Sequence, residues 1–136
     1  MKYFKSKVVD QDGEILAFIT PVKMNNEEIQ HHFYARIDGY EYHGISDDAV
    51  LPEQHDECEV EELAFADIEE ILKGSRLYKE INAQVEQRIR EKYSIGDEFS
   101  ILKDDKTSAE YIAYQQIVDE CRQAGAVQKI ALGLKQ

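Results

Sequence analysis

Asp38-Gly39 sits between two aromatic-rich runs, His31–Ile37 and Tyr40–Ile45. Both turn residues tolerate positive φ, so the pair specifies a two-residue type I′ turn, and such a turn fixes the register of its arms. In that register Ile37 faces Tyr40, Ala35 faces Tyr42 and Phe33 faces Gly44, all on one side of the sheet. The other side carries His32, Tyr34, Arg36, Glu41 and His43. A second turn signal, Asp10-Gln11-Asp12-Gly13, joins residues 3–9 to residues 14–22 in another hairpin. Its second arm is apolar on both faces at 15–19, which predicts a central strand, and Pro21 ends it. Residues 25–28, Asn-Asn-Glu-Glu, read as a loop.

From Phe65 the apolar period becomes helical. Asp67 and Glu70 form a capping pair, Ile68, Ile71 and Leu72 give one face, and Gly74-Ser75 interrupts the helix. Leu77, Ile81, Val85, Ile89 and Tyr93 then recur every four residues, a helix with a narrow apolar stripe. Ser94 with Asp97 caps a short helix containing Phe99, Ile101 and Leu102, and Thr107 with Glu110 caps a last long one. That helix shows Tyr111, Tyr114, Val118 and Cys121 on one face, with Gly125 as its C-terminal stop. Beyond it Ile130, Leu132 and Leu134 alternate as a short strand or apolar strap. The stripe at 77–93 and the face at 111–121 pack on each other in this reading.

Charge is distributed as unevenly as structure. The 136-residue chain has a formal net charge of −12. Residues 46–70 carry eleven carboxylates and neither Lys nor Arg, so the acidity is a block. Such a block repels phosphates and excludes direct nucleic-acid binding. Three uses remain: a solvated linker, a docking site for a basic partner protein, or imitation of DNA to inhibit a nucleic-acid-binding enzyme. The partner-contact candidates are Tyr34 and Tyr42 on the hairpin and Asp56, Glu57, Glu61, Glu62, Glu69 and Glu70 in the block.

Catalytic constellations are hard to find. His31 and His32 are adjacent in a strand and point to opposite faces, so they cannot share a site without a bulge. His32 and His43, with Glu41, make at most a thin ligand set, and His55 stands in the acidic block. A metal-dependent enzyme is therefore a remote alternative. Cys58 lies among acids, which raise a thiol pKa, and Cys121 lies on an apolar helix face. The chain contains no G-x-S-x-G, P-loop or G-x-G-x-x-G motif. The expectation is a non-enzymatic protein with no cofactor and no bound metal.

Residues 81–125 resemble the C-terminal region of small tailed-bacteriophage proteins encoded near tail fibres. The resemblance rests on Tyr93-Ser94-Ile95-Gly96-Asp97-Glu98, followed by Glu110-Tyr111, Tyr114, Val118 and Cys121. The order of a short strand, an Asp-x-x-Gly turn, a Tyr-containing strand and an Asp-Gly hairpin is also similar. These motifs are structural punctuation. The resemblance implies a phage or prophage tail or tail-fibre accessory or assembly factor, with a virion or tail-fibre protein as partner and no catalytic residue.

Together these features predict an α+β chain. A small antiparallel sheet of hairpins at 1–45 leads through an acidic connector at 46–62 to a helical region at 63–136. The stripe at 77–93 also offers a homo-oligomer contact, although its strict spacing of four drifts away from a heptad seam. The start of the chain lacks an apolar signal region, and its longest apolar run, 15–19, is far short of the roughly 20 residues of a membrane span. Two cysteines make no disulfide framework. The expected location is the cytoplasm of a bacterial host, or the virion, with no membrane contact.

Overall fold

The fold is α+β, with N-terminal antiparallel sheets followed by four helices. The computed structural model describes residues 1–21 and 29–136, so the loop expected at 25–28 and the end of the arm expected at 14–22 lie outside the described residues. The chain divides into two compact units, Met1–Arg76 and Leu77–Gln136.

The first unit is built around β1 (Lys2–Lys7), β2 (Val9–Gln11), β3 (Glu14–Leu16), β4 (His31–Ile37), β5 (Tyr40–Ile45) and β6 (Glu61–Leu63). Four of these form an antiparallel sheet in the order β4-β5-β1-β6, while β2 and β3 pair with each other alone. The expected long hairpin of 3–9 with 14–22 is thus replaced by a three-residue ribbon closed by Asp12 and Gly13, both at positive φ. Ile15, placed in a central strand by its apolar neighbours, is 71% exposed. The interior strands are β5 and β1 instead. Tyr3, Phe4 and Ser6 are buried on the alternating faces of β1, and a strand covered on both sides belongs inside a sheet.

The Asp38-Gly39 turn forms as expected, with φ of 52° and 82°, and Ile37 meets Tyr40 while Ala35 meets Tyr42. The register then slips. Phe33 pairs with His43 rather than Gly44, because Tyr34 is the extra residue of a β-bulge. Residues N-terminal to Tyr34 therefore exchange faces relative to strict alternation. Tyr34 turns inward, only 4% exposed, toward Tyr3, which also meets Phe65. On this side α1 (Phe65–Gly74) packs against β4 and buries Ile68 and Leu72. The helix starts after Ala64 without a side-chain cap, so Asp67 sits inside its first turn, not at the cap. The opposite face is covered by irregular chain: Phe4, Phe18, Ile45 and Ala49 form its core, with Ile29, Leu51 and Val60 around them.

At Ser75 the backbone becomes extended, and its hydroxyl donates to the Leu72 carbonyl at 2.6 Å, which ends α1 as Gly74-Ser75 suggested. The second unit contains nearly all of α2 (Arg76–Lys92), then α3 (Ile95–Leu102) and α4 (Ala109–Ala131). Its core joins Ile89, Ile101, Tyr114 and Val118 with Val85, Tyr93, Tyr111 and Cys121, which is the expected meeting of the two stripes. Ser94 and Asp97 form a reciprocal capping box, each backbone N–H donating to the other's side chain at 3.0 Å. The cap of α4 is Ser108, one residue after Thr107, and its hydroxyl accepts from the Tyr111 N–H at 3.2 Å.

Gly125 is not a stop signal. It lies inside α4, buried against α2, where a Cβ would stand 2.5 Å from Val85 Cγ2. The helix runs six residues further and ends at Gly133, whose φ is 73°. There the Leu134 N–H donates to the Lys129 carbonyl and the Gly133 N–H to the Ile130 carbonyl, a Schellman ending. Ile130 accordingly lies within the helix and Leu132 is its C-cap, and of the three only Leu134 is deeply buried. No helix among the described residues is long and apolar enough to cross a membrane.

Candidate functional site

The bulge at Tyr34 assembles a group that strict alternation hides. It brings His31, not His32, onto the face of His43 and Glu41. His31 Nε2 lies 2.9 Å from His43 Nδ1, and His43 Nε2 lies 3.1 Å from Glu41 Oε2. The two imidazole centroids are 5.1 Å apart, only 2.2 Å more than the N···N distance, with planes 19° apart. The rings therefore meet edge to edge, almost in one plane. Phe18 lies parallel to both, 4.6 Å from His43 and 6.0 Å from His31, and Phe33 meets His43 edge-on.

An ionised Glu41 can only accept, so His43 donates to it from Nε2 and must accept at Nδ1. His31 then donates from Nε2, which assigns both tautomers by the hydrogen-bond chain. Burial holds the His43 pKa below 6.5, helped by His31 and opposed by Glu41. Burial also lowers the pKa of His31, with a smaller contribution from His32. His43 is 5% exposed. Its two nitrogens are both engaged, and the three side chains form a line rather than converge on a point. Among the described residues no group of three or more His, Cys, Asp or Glu side chains is arranged to hold a metal ion. His32 stands near Tyr34 instead, and His55 is exposed at the start of a 3-10 turn, Asp56–Cys58.

The partner-contact candidates scatter. Tyr34 is buried beneath α1's side of the sheet, and Tyr42 is half-buried between Lys5 and Ala35. Asp56 and Glu57 are exposed on the 3-10 turn; Glu61 and Glu62 are exposed on the edge strand β6. Glu69 and Glu70 lie on α1, where both approach Lys73 Nζ, at 3.4 and 3.5 Å. The acids thus stand on three different elements of the first unit. Cys58 is fully buried with its pKa raised by burial and by Glu57, and Cys121 is half-buried in the helical core.

A surface absent from the candidate residues stands on α3. Ile95, Phe99 and Leu102 follow helical spacing and are 61%, 62% and 55% exposed, while Ile101 turns into the core. The helix is held firmly beneath them. Glu98 accepts from both the Tyr114 hydroxyl on α4 and the Arg90 guanidinium on α2, and Arg90 also meets Glu86 at 2.7 Å. The hydrogen bond from Tyr114, then the guanidinium, holds the Glu98 carboxyl below its ordinary range despite desolvation. The spacing at 95, 99 and 102 is legible in the sequence as a second apolar face, but it carries no charge that would single it out as a contact.

No protein-family model matches the chain, and no curated protein or solved structure matches it either.

Proposed function

We propose that this chain works without catalysis, by binding another protein through the outer face of α3, as a tail or tail-fibre accessory or assembly factor of a tailed phage. The observation that carries the contact reading is the exposed stripe Ile95, Phe99 and Leu102 on a helix fixed from below. Apolar side chains grouped on one exposed face favour a contact surface, whereas scattered ones need no explanation. The phage assignment follows from the resemblance around Tyr93–Glu98. Those motif residues have a mechanical role: Ser94 and Asp97 cap α3, and Glu98 ties it to both long helices. They present the stripe without joining it.

Recovery of the tagged chain from lysate of its native host, at low and high salt, tests the reading. A virion or tail-fibre protein retained at high salt, and lost on replacing Phe99 and Leu102 by Ser, is the expected result. A basic nucleic-acid enzyme released at high salt, and lost when Glu61, Glu62, Glu69 and Glu70 become Gln, would transfer the function to the acidic surface and refute the α3 assignment.

A further inference from the structure

We propose that His31, His43 and Glu41 form an acid-released latch that holds the segment around Phe18 and Ile19 against the sheet. This segment leaves the β2–β3 ribbon and returns to cover the face of Phe4 and Ile45. Besides that apolar contact with Phe4, two further features hold it. Phe18 lies flat on the near-coplanar histidine pair. Ile19 is clasped by the Gln54 amide, which accepts from its N–H at 2.7 Å and donates to its carbonyl at 2.8 Å. The Gln54 clasp does not titrate, whereas the histidine pair does.

The geometry sets how many protons the closed state accepts. One added proton leaves a single N–H between His31 and His43, so the bond survives and Glu41 balances the charge. A second proton places an N–H on each of two nitrogens that face each other at 2.9 Å. That contact cannot persist, and two adjacent cations beneath a parallel aromatic ring repel. The two histidines must then separate, and Phe18 loses that part of its contact surface, keeping only the apolar contacts of the Phe4, Ile45 and Ala49 cluster. Among the described residues, the other charged groups near the pair are His32, beside His31, and Arg36, which stands opposite Glu41 in the strand register. From β1 the neighbours in register are Phe4 opposite His43 and Ser6 opposite Glu41, neither titratable.

The direction follows by linkage. Closed, both groups have pKa values below the ordinary 6.5; released, they return toward it. The released state binds more protons, so the latch is fully effective above about pH 6.5 and weakens as pH falls below that value. The Ile19 amide is a local reporter, because its N–H is hydrogen-bonded in the half-buried Gln54 clasp.

Hydrogen exchange of Ile19 in the full chain, corrected for intrinsic rate, tests the latch. Protection should be flat above pH 6.5 and then fall. Where the fall is steepest, a pair of protons is taken up per opening, so the loss approaches a hundredfold per pH unit. In His31→Phe, which keeps a planar ring for Phe18, the loss should not exceed tenfold per unit. His31→Gln gives the same comparison should the larger ring disturb packing. Constant wild-type protection down to pH 5 would overturn the latch, as would an equally steep fall in both single-histidine variants.

Discussion

Replacing Gly125 by Ala tests the closeness of α2 and α4 directly. Two effects of opposite sign compete. In an ordinary helix interior, Ala in place of Gly stabilises by about 1 kcal/mol. At this position the new Cβ would stand 2.5 Å from Val85 Cγ2 and 3.7 Å from Ile81 Cγ2. The first distance demands movement, and Val is β-branched, with essentially one χ1 rotamer open to it in a helix. Overpacking of this kind costs about 1–3 kcal/mol. The steric cost wins, so Gly125→Ala should lower stability by about 1 kcal/mol. Val85→Ala opens the space, and in that background the same substitution should raise stability by up to about 1 kcal/mol. The two substitutions are therefore coupled by about 2 kcal/mol, within the range for touching side chains. Urea unfolding followed by the helical circular-dichroism signal, on the four members of the cycle, measures it. A Gly125→Ala protein more stable than the parent, with no coupling to Val85, would mean that the helices have room and that Gly125 is not needed for their approach.

Two more predictions concern packing and pH. At Gly44 a Cβ would fall on the Tyr34 ring, 2.8 Å from its Cε2 and Cζ and closer still to the hydroxyl, so Gly44→Ala should cost about 3 kcal/mol in thermal or urea unfolding. Tyr34→Phe should not rescue it, because the obstructing ring carbons remain. Tyr114 is pushed up to about 12, chiefly by burial and then by its bond to Glu98. Above pH 10 the unfolded chain gives up a proton that the folded one keeps, so stability should fall from there toward pH 12. Glu98 is shifted the other way: its contribution is present above about 4.5 and is lost as pH falls. Tyr114→Phe should lower neutral-pH stability by about 1 kcal/mol and flatten both limbs of a pH series of thermal melts. A variant with limbs as steep as the parent's would refute the pairing.

What was legible in the sequence was local. Asp38-Gly39 and Asp12-Gly13 announce their turns because only a few residue types accept two successive positive φ values. The Ser94–Asp97 box and the stripes of α2 and α4 are also written within a few residues. The bulge at Tyr34 was not legible. An aromatic residue fits either face of a strand, and the slip is decided by the cavity beside Gly44 and by Tyr3, which come from other strands. That slip moved His31 to the place expected for His32. The choice of β5 and β6 as partners for β1 is equally non-local. Gly125 was misread for a different reason. Glycine is used both to end helices and to let them touch, and only the continuing series Tyr114, Val118, Cys121, Gly125 separates the two uses.

The position of β1 has a consequence for how the chain is made. Its partners, β5 and β6, lie far downstream; Tyr3 pairs with Leu63, sixty residues later. During synthesis the first strand emerges with neither neighbour available, and it waits with Tyr3 and Phe4 uncovered until the acidic strand that closes the sheet is made. Such long-range pairing is slow and leaves apolar edges open in the interval. The helices of the second unit close over shorter spans of chain. A truncation ahead of residue 61 would keep the Asp-Gly hairpin intact and still leave a product with an unfinished edge, prone to associate with other unfinished copies.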